Sequence, residues 1–267
     1  MKILLMSLNS KYIHTNLAIR YLQNYIQFHM PHHKSELIIK EYTINNEMDY
    51  VLRDISKDEY DYIFASAYIW NIESLSVLFS NFRLINHHTK IIFGGPEVTY
   101  NAKVQMQKHL FLDAIMIGEG EQIFLNWMEE MEANGGHHAF EVTKGIIYRG
   151  DNKIFENEPM PLISNLDSIP FPYDEALLVG SKILYYESSR GCPFNCSYCL
   201  SSAGKGVRYF SIDRVQRDLD IFLKHQVPQV KFVDRTFNAK KSHALAILNY
   251  LIDHDNEIGR ASCRERV

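Results

Sequence analysis

The sequence predicts an α/β protein: a flavodoxin-like (Rossmann-like) doubly wound parallel sheet, followed by the first two β/α units of a second, larger parallel structure. Three observations carry this. Short β-rich runs alternate with stretches of helical spacing through the first 135 residues, the pattern of βαβ units stacked around a parallel sheet. Pro159, Pro161, Pro170 and Pro172 then fall in one short window, which cannot be helical and reads as an extended connector. Beyond it the strand and helix alternation resumes at Lys182.

The first strand is Lys2 to Leu8, followed by helical spacing of Leu17, Tyr21, Leu22, Tyr25 and Ile26. Further strands are expected at Glu36 to Tyr42, Tyr62 to Ser66, Lys90 to Phe93 and Asp113 to Ile117. Leu75, Leu78, Phe79, Phe82 and Ile85 form one apolar helical stripe, and Ile123, Phe124, Trp127, Met128 and Met131 another. Asn134-Gly135-Gly136-His137-His138 breaks that last helix, and Gly145 to Phe155 reads as a hairpin turning at Arg149-Gly150-Asp151-Asn152. The first domain is therefore set at residues 1–140, with a hairpin and Pro-rich linker at 141–181. The second unit, 182–256, opens with a strand at Lys182 to Glu187 and a cysteine loop. A helix N-capped by Ser211 follows, its buried face being Ile212, Val215, Leu219, Phe222 and Leu223. A strand at Gln229 to Val233 and a helix at Lys240 to Leu251 complete the two units, too few to close a barrel. Residues 257–267 lose helical periodicity and resemble the translation of a sequencing adapter. They are read as a non-native tail, with Cys263 of no biological role and the natural protein continuing beyond Asn256.

Composition excludes several function classes. With 267 residues, 46% of them hydrophobic and 22% charged, the chain is globular rather than collagenous or disordered. A formal net charge of −4 leaves no broad basic face for a nucleic-acid backbone, so no nucleic-acid partner is expected. The longest uncharged apolar runs, such as Ile3 to Met6, are far shorter than the roughly 20 residues of a membrane span. The apolar stretch after Lys2 is also too short for a signal-peptide core, so the expectation is a cytoplasmic protein with no membrane association.

Three of the four cysteines, Cys192, Cys196 and Cys199, lie in Ser189-Arg190-Gly191-Cys192-Pro193-Phe194-Asn195-Cys196-Ser197-Tyr198-Cys199 with the spacing C-x3-C-x2-C. Three thiolates from one short loop can hold three irons of a cubane cluster and leave the fourth open to a small molecule. Gly191 can take positive φ and Pro193 fixes its own, which bends the loop so that thiolates can converge. The alternatives are a structural zinc site, which usually takes four ligands in paired units where no second pair follows here, or three ordinary thiols.

This segment resembles the radical S-adenosylmethionine (radical SAM) superfamily, whose signature C-x3-C-x-aromatic-C sits on the loop after the first strand of a partial (β/α)6 barrel. The resemblance covers Lys182 to about Asn256, with Tyr198 as the aromatic. It implies a [4Fe-4S] cluster on Cys192, Cys196 and Cys199, S-adenosyl-L-methionine chelated at the open iron, and reductive cleavage to a 5′-deoxyadenosyl radical that abstracts hydrogen. Tyr198 would lie near the adenine. Where many members carry a Gly-Gly-Glu-like stretch after the second strand, this chain has Val233-Asp234-Arg235-Thr236-Phe237-Asn238. Asp234 and Arg235 are accordingly candidates for SAM contact, or else a surface ion pair or helix cap.

In the first domain three loops fall at predicted carboxyl ends of strands: Asn9 to His14, Gly94-Gly95-Pro96-Glu97 and Gly118-Glu119-Gly120-Glu121. Ligands of such sheets sit along that rim, where glycine lets backbone approach closely. Read alone, the glycine stretches are tight turns, and no GxGxxG or Walker A motif supports a dinucleotide or triphosphate. Placed before a radical SAM loop, they resemble the cobalamin-binding domain of B12-dependent radical SAM proteins, in a family that adds a further C-terminal domain. The resemblance implies cobalamin on Ser10, His14, Gly94, Gly95, Glu97, Gly118, Glu119 and Gly120. The Asp-x-His-x-x-Gly motif for a lower axial histidine is absent.

The expectation is thus a radical SAM enzyme that starts C–H chemistry with cobalamin assistance, methyl transfer being the leading subclass, and with a flavodoxin or ferredoxin as reductant. An iron–sulfur electron-transfer module, and a radical SAM enzyme whose first domain binds no cobalamin, are the rival readings. No catalytic residue and no substrate can be read from the sequence.

Overall fold

The computed structural model describes residues 1–133, 138–151, 153–200 and 206–254. The helix break at 134–137, turn residue Asn152 and the 257–267 tail with Cys263 lie outside the described residues. The chain forms two units, one of Met1–Tyr12 and Ala18–Ile163, the other of Ile13–Leu17 together with the chain from Ser164.

In the first unit the elements run β1 (Lys2–Asn9), α1 (Leu17–His29), β2 (Glu36–Thr43), α2 (Met48–Ile55), β3 (Tyr62–Ser66), α3 (Ile72–Ile85), β4 (Lys90–Gly94), α4 (Pro96–Thr99), α5 (Ala102–Lys108), β5 (Ala114–Met116), α6 (Gly120–Ala133), α7 (Ala139–Val142), β6 (Ile146–Gly150) and β7 (Lys153–Glu156). The seven strands form one sheet in the order β2-β1-β3-β4-β5-β6-β7. Strands β1 to β5 are parallel in the flavodoxin-like order 2-1-3-4-5. β1 shows why its run is uninterrupted rather than alternating: every residue from Ile3 to Asn9 is buried, as both faces of a parallel sheet require. α3 buries Leu75, Leu78, Phe79 and Phe82 at helical spacing, while Ile85, expected on the same stripe, is 63% exposed at the helix end.

The hairpin departs from its expected place in the connector. β6 pairs antiparallel with β5 and β7 with β6, so the sheet continues past residue 140. Ile146 and Ile147 are fully buried, and the pair covers the β5 edge that a five-stranded sheet would leave open. Unit 1 consequently runs to Ile163, within the proline-rich stretch.

The second unit contains a 3₁₀ turn at Leu166–Ser168, α8 (Glu175–Leu178), β8 (Leu184–Tyr186), β9 (Ser189–Cys192), β10 (Gly206–Tyr209), α9 (Ile212–Lys224), β11 (Val230–Phe232) and α10 (Lys241–His254). β8 and β11 pair in parallel as two β/α units require, and Ser211 Oγ accepts from the Arg214 amide at 3.2 Å, the expected N-cap. Val215, Leu219 and Phe222 of α9 are buried, with Ile212 and Leu223 half-buried. β9 and β10 add an antiparallel ribbon that the sequence pattern does not signal. Among the described residues no helix is long and apolar enough to cross a membrane.

Candidate functional site

The first unit presents its rim at the ends of β1, β3, β4 and β5. β4 ends at Gly94, and Gly95 turns the chain with φ +116°, where a Cβ would lie 2.5 Å from the Ala67 carbonyl oxygen. No other residue fits there, because both conformation and space exclude a side chain. Gly118 has φ +104° yet a Cβ there would meet nothing within 4 Å, so this backbone stands open on its outer side. Gly120 begins α6 against Leu22, and Glu97 is half-buried in α4. Glu119 accepts from the Ile163 amide at 2.9 Å, a bond that ties the β5–α6 loop to the end of the unit. Ser10, half-buried, follows directly on β1.

Side chains the sequence did not single out fix these strand ends. Asn71, 1% exposed at the start of α3, donates to the Leu8 carbonyl at 3.1 Å and the Ser66 carbonyl at 2.9 Å, and accepts from the Tyr68 amide at 2.7 Å. One amide thereby closes the exits of β1 and β3, where the sheet order reverses. Buried Arg20 pairs with Glu41, which accepts from Asn9 at 3.1 Å. Beside them Tyr68 and Trp70 stack with ring centroids 4.4 Å apart and 9° between planes. Trp70 and its neighbour Ile69 are 47% and 78% exposed, an apolar surface at the end of β3. A depression of about 500 Å³ also exists in this unit, lined by Met1, Lys34, Tyr62, Lys90 and Glu132. It lies at the amino ends of the strands, away from the rim.

His14, expected on that rim, belongs to the second unit. Ile183 donates its amide to the Ile13 carbonyl at 2.8 Å, and Thr15 Oγ1 donates to the Ile183 carbonyl at 2.9 Å. His14 and Ile183 form a parallel bridge that leads into β8, and the His14 Nδ1 meets the Tyr185 hydroxyl. Backbone pairing with β8's entry, rather than the end of β1, decides where the imidazole sits.

In the second unit the cysteine loop leaves β9 at Cys192. Gly191 has φ +104°, and a Cβ there would fall 2.2 Å from the Gly206 carbonyl oxygen, so the positive-φ glycine expected before the loop is present and also lets β10 close against β9. Cys192 and Cys196 are half-buried, Cys199 and Tyr198 exposed, Tyr198 at 91%. The Cys199 amide donates to the Cys196 carbonyl at 3.1 Å. Among the described residues no three His, Cys, Asp or Glu side chains stand together as a metal-ligand set. The loop does carry three thiols within eight residues of sequence where the chain leaves β9, which in number and type are the donors of a site-differentiated cubane.

Asp234, at the exit of β11, is engaged by the chain itself. It accepts from the Ser188 amide at 3.1 and 3.2 Å, from Ser188 Oγ at 2.8 Å and from Ser189 Oγ. Arg235 is exposed. Behind the strands Arg214 Nε donates to both Asp218 oxygens at 2.9 Å, and Tyr186, 1% exposed, donates its hydroxyl to the same carboxylate at 3.0 Å. Burial pushes the Asp218 carboxyl above its ordinary range despite Arg214, and pushes Tyr186 up as well.

A doubly wound sheet with glycine loops along its carboxyl rim defines a Rossmann-like ligand-binding domain. Residues 3–126, within the span of the first unit, match the family model of the B12 binding domain. An uncharacterized methyltransferase of Pyrococcus horikoshii is 33% identical over 172 residues, 61% of this chain and 37% of the relative. The cobalamin-dependent radical SAM methyltransferase TokK of Streptomyces tokunonensis is 24% identical over 205 residues, 70% of this chain and 30% of that protein. Among solved structures, the cobalamin-dependent S-adenosylmethionine radical enzyme OxsB with aqua-cobalamin bound superposes with a TM-score of 0.75 at 15% identity, over 96% of this chain and 38% of that one. The radical S-adenosylmethionine methyltransferase TsrM from Kitasatospora setae gives 0.70 at 13%, over 94% and 51%. The chain therefore spans well under half the length of the curated relatives it matches. These structures share the fold, and the domain match supports cobalamin as the ligand of the first unit.

Proposed function

We propose that the protein is a cobalamin-dependent radical SAM enzyme, methyl transfer to an unactivated carbon being its leading chemistry. The observation that carries this is the succession of a match to the B12 binding domain and a C-x3-C-x2-C loop that leaves β9, the strand after β8 of the first β/α unit. Cys192, Cys196 and Cys199 would hold three irons of a [4Fe-4S] cluster, which supplies the electron that cleaves S-adenosyl-L-methionine. Tyr198, exposed within that loop, and Arg235, exposed after β11, would meet the nucleoside and carboxylate ends of the cofactor. In the first unit the open backbone at Gly118, the turn at Gly94-Gly95 and the residues Ser10, Glu97, Glu119 and Gly120 would receive cobalamin. Glu119 acts by holding its loop to Ile163. His14, paired into the second unit, is not assigned as a lower ligand. Electrons would come from a small reductant such as flavodoxin or ferredoxin.

The test is anaerobic reconstitution with iron, sulfide and hydroxocobalamin followed by gel filtration. The expected product holds about four irons and retains corrinoid absorbance. Cys196→Ala should lose the iron and keep the corrinoid. A wild-type chain that retains no corrinoid, or a Cys196→Ala chain with undiminished iron, would contradict the assignment.

A further inference from the structure

The loop leaving β11 grips the cysteine segment at two points. Asp234 gathers the Ser188 amide and the Ser188 and Ser189 hydroxyls at the entry to β9, and Thr236 Oγ1 lies 3.8 Å from Cys192 Sγ at its exit. β9 is only four residues long, so the two grips enclose it. A carboxylate accepting several bonds from one turn is a strong local tie, because each bond is charge-assisted. From the other side comes His243 of α10, 4% exposed. Its ring packs 4.8 Å from that of Tyr209, the residue paired with Ser189 across the ribbon. The β11 exit and β10, itself backed by α10 through Tyr209, thus converge on Ser188-Ser189, four and three residues before the first cysteine.

We infer that Asp234 is a positioning residue for the cysteine loop: it acts through Ser188 and Ser189 to hold Cys192 where a cluster assembles, and does not itself contact S-adenosyl-L-methionine. The inference deepens the function proposed above and rests on it for the cluster, while the grip itself can be tested without iron.

The experiment is a timed iodoacetamide pulse on the iron-free, reduced 267-residue chain, with peptide mass spectrometry reading each cysteine separately. In Asp234→Ala the Cys192 rate should rise about tenfold, which is roughly 1.4 kcal/mol of lost restraint, with exposed Cys199 changing less than about twofold. Asp234→Asn keeps an acceptor and should fall between wild type and Ala. The double variant Ser188→Ala/Ser189→Ala, which removes the hydroxyl donors and leaves the Ser188 amide on the carboxylate, should follow Asp234→Ala and serves if that variant does not fold. An unchanged Cys192 rate in these variants overturns the inference, as does an equal rise at all three cysteines, which would show general loosening. After reconstitution the variants should hold less than about half the wild-type iron, since one of three anchoring thiolates is misplaced. If wild type itself takes no iron, the cluster assignment fails, and the alkylation pattern still decides the grip.

Discussion

Each unit contains a tyrosine hydroxyl that donates to an aspartate, and the two pairs answer pH in opposite directions. In the first unit Tyr42 donates to Asp54 at 2.7 Å, with Lys57 and Lys40 each 3.1 Å from the same carboxylate. The hydrogen bond from Tyr42 is the largest influence, and with the lysines it holds Asp54 down to about 2. In the second, Tyr186 and Arg214 converge on Asp218, yet burial outweighs both and raises it. Depth decides the sign, because the cost of removing a carboxylate from water grows faster than what a partner returns. The lesson extends to the sites: the rim of glycine loops rests on strands sunk in an apolar core, the cysteine loop on polar ties between short, half-buried strands.

The largest effect should come from cutting the buried pair. Arg214→Met leaves Asp218 uncompensated and should cost about 3–5 kcal/mol, read as lost hydrogen-exchange protection in α9 while β1 stays protected. Equal loss in both units would break the contrast. Next, Gly95→Ala forces a strained φ against the Ala67 carbonyl and should destabilise the first unit by roughly 2–3 kcal/mol. Urea unfolding followed by tryptophan fluorescence reads this cleanly, since both tryptophans, Trp70 and Trp127, lie in that unit.

The pH contrast is smaller and more specific. Asp54 contributes stability that is complete above its ordinary value of 3.8 and is lost as pH falls toward about 2. Asp218 retains its proton to higher pH when folded than when unfolded. Its contribution is therefore full below the ordinary carboxylate value and is lost as pH rises through the raised one. Asp54→Asn should flatten the acid limb of protection in α2, and Asp218→Asn the rising-pH loss in α9. A loss of the same sign in both would refute the burial argument. The smallest stability effect is expected at half-exposed Trp70: replacement by Ala should shift unfolding by less than about 0.5 kcal/mol. The same change should weaken hydroxocobalamin retention about fivefold by equilibrium dialysis, the worth of one aromatic contact.

What the sequence discloses follows the same division. Strands β1, β3, β4 and β5 can be read because burial on both faces leaves continuous apolar runs, and α3 and α6 because their stripes are long. The crossover α2 escapes notice with only Val51 and Ile55 buried in eight residues. The hairpin is visible as a hairpin, but a pattern of residues does not tell which sheet edge it will cover. β9 has no signature in Ser189-Arg190-Gly191-Cys192, since its pairing is enforced by glycine geometry rather than apolar alternation. The cysteine spacing and the glycine loops are plain in the sequence. Asn71, the partners of Asp234 and the transfer of His14 to the second unit are not, because each depends on a contact between residues far apart in the chain.

The measurement that bears most directly on the central claim is the EPR spectrum of the anaerobically reconstituted, reduced protein with and without S-adenosyl-L-methionine. A [4Fe-4S]⁺ signal that shifts when the cofactor is added is the expected result, because only a cluster with one open iron can bind it. A signal indifferent to the cofactor would contradict the account and make the cysteine loop an electron-transfer centre.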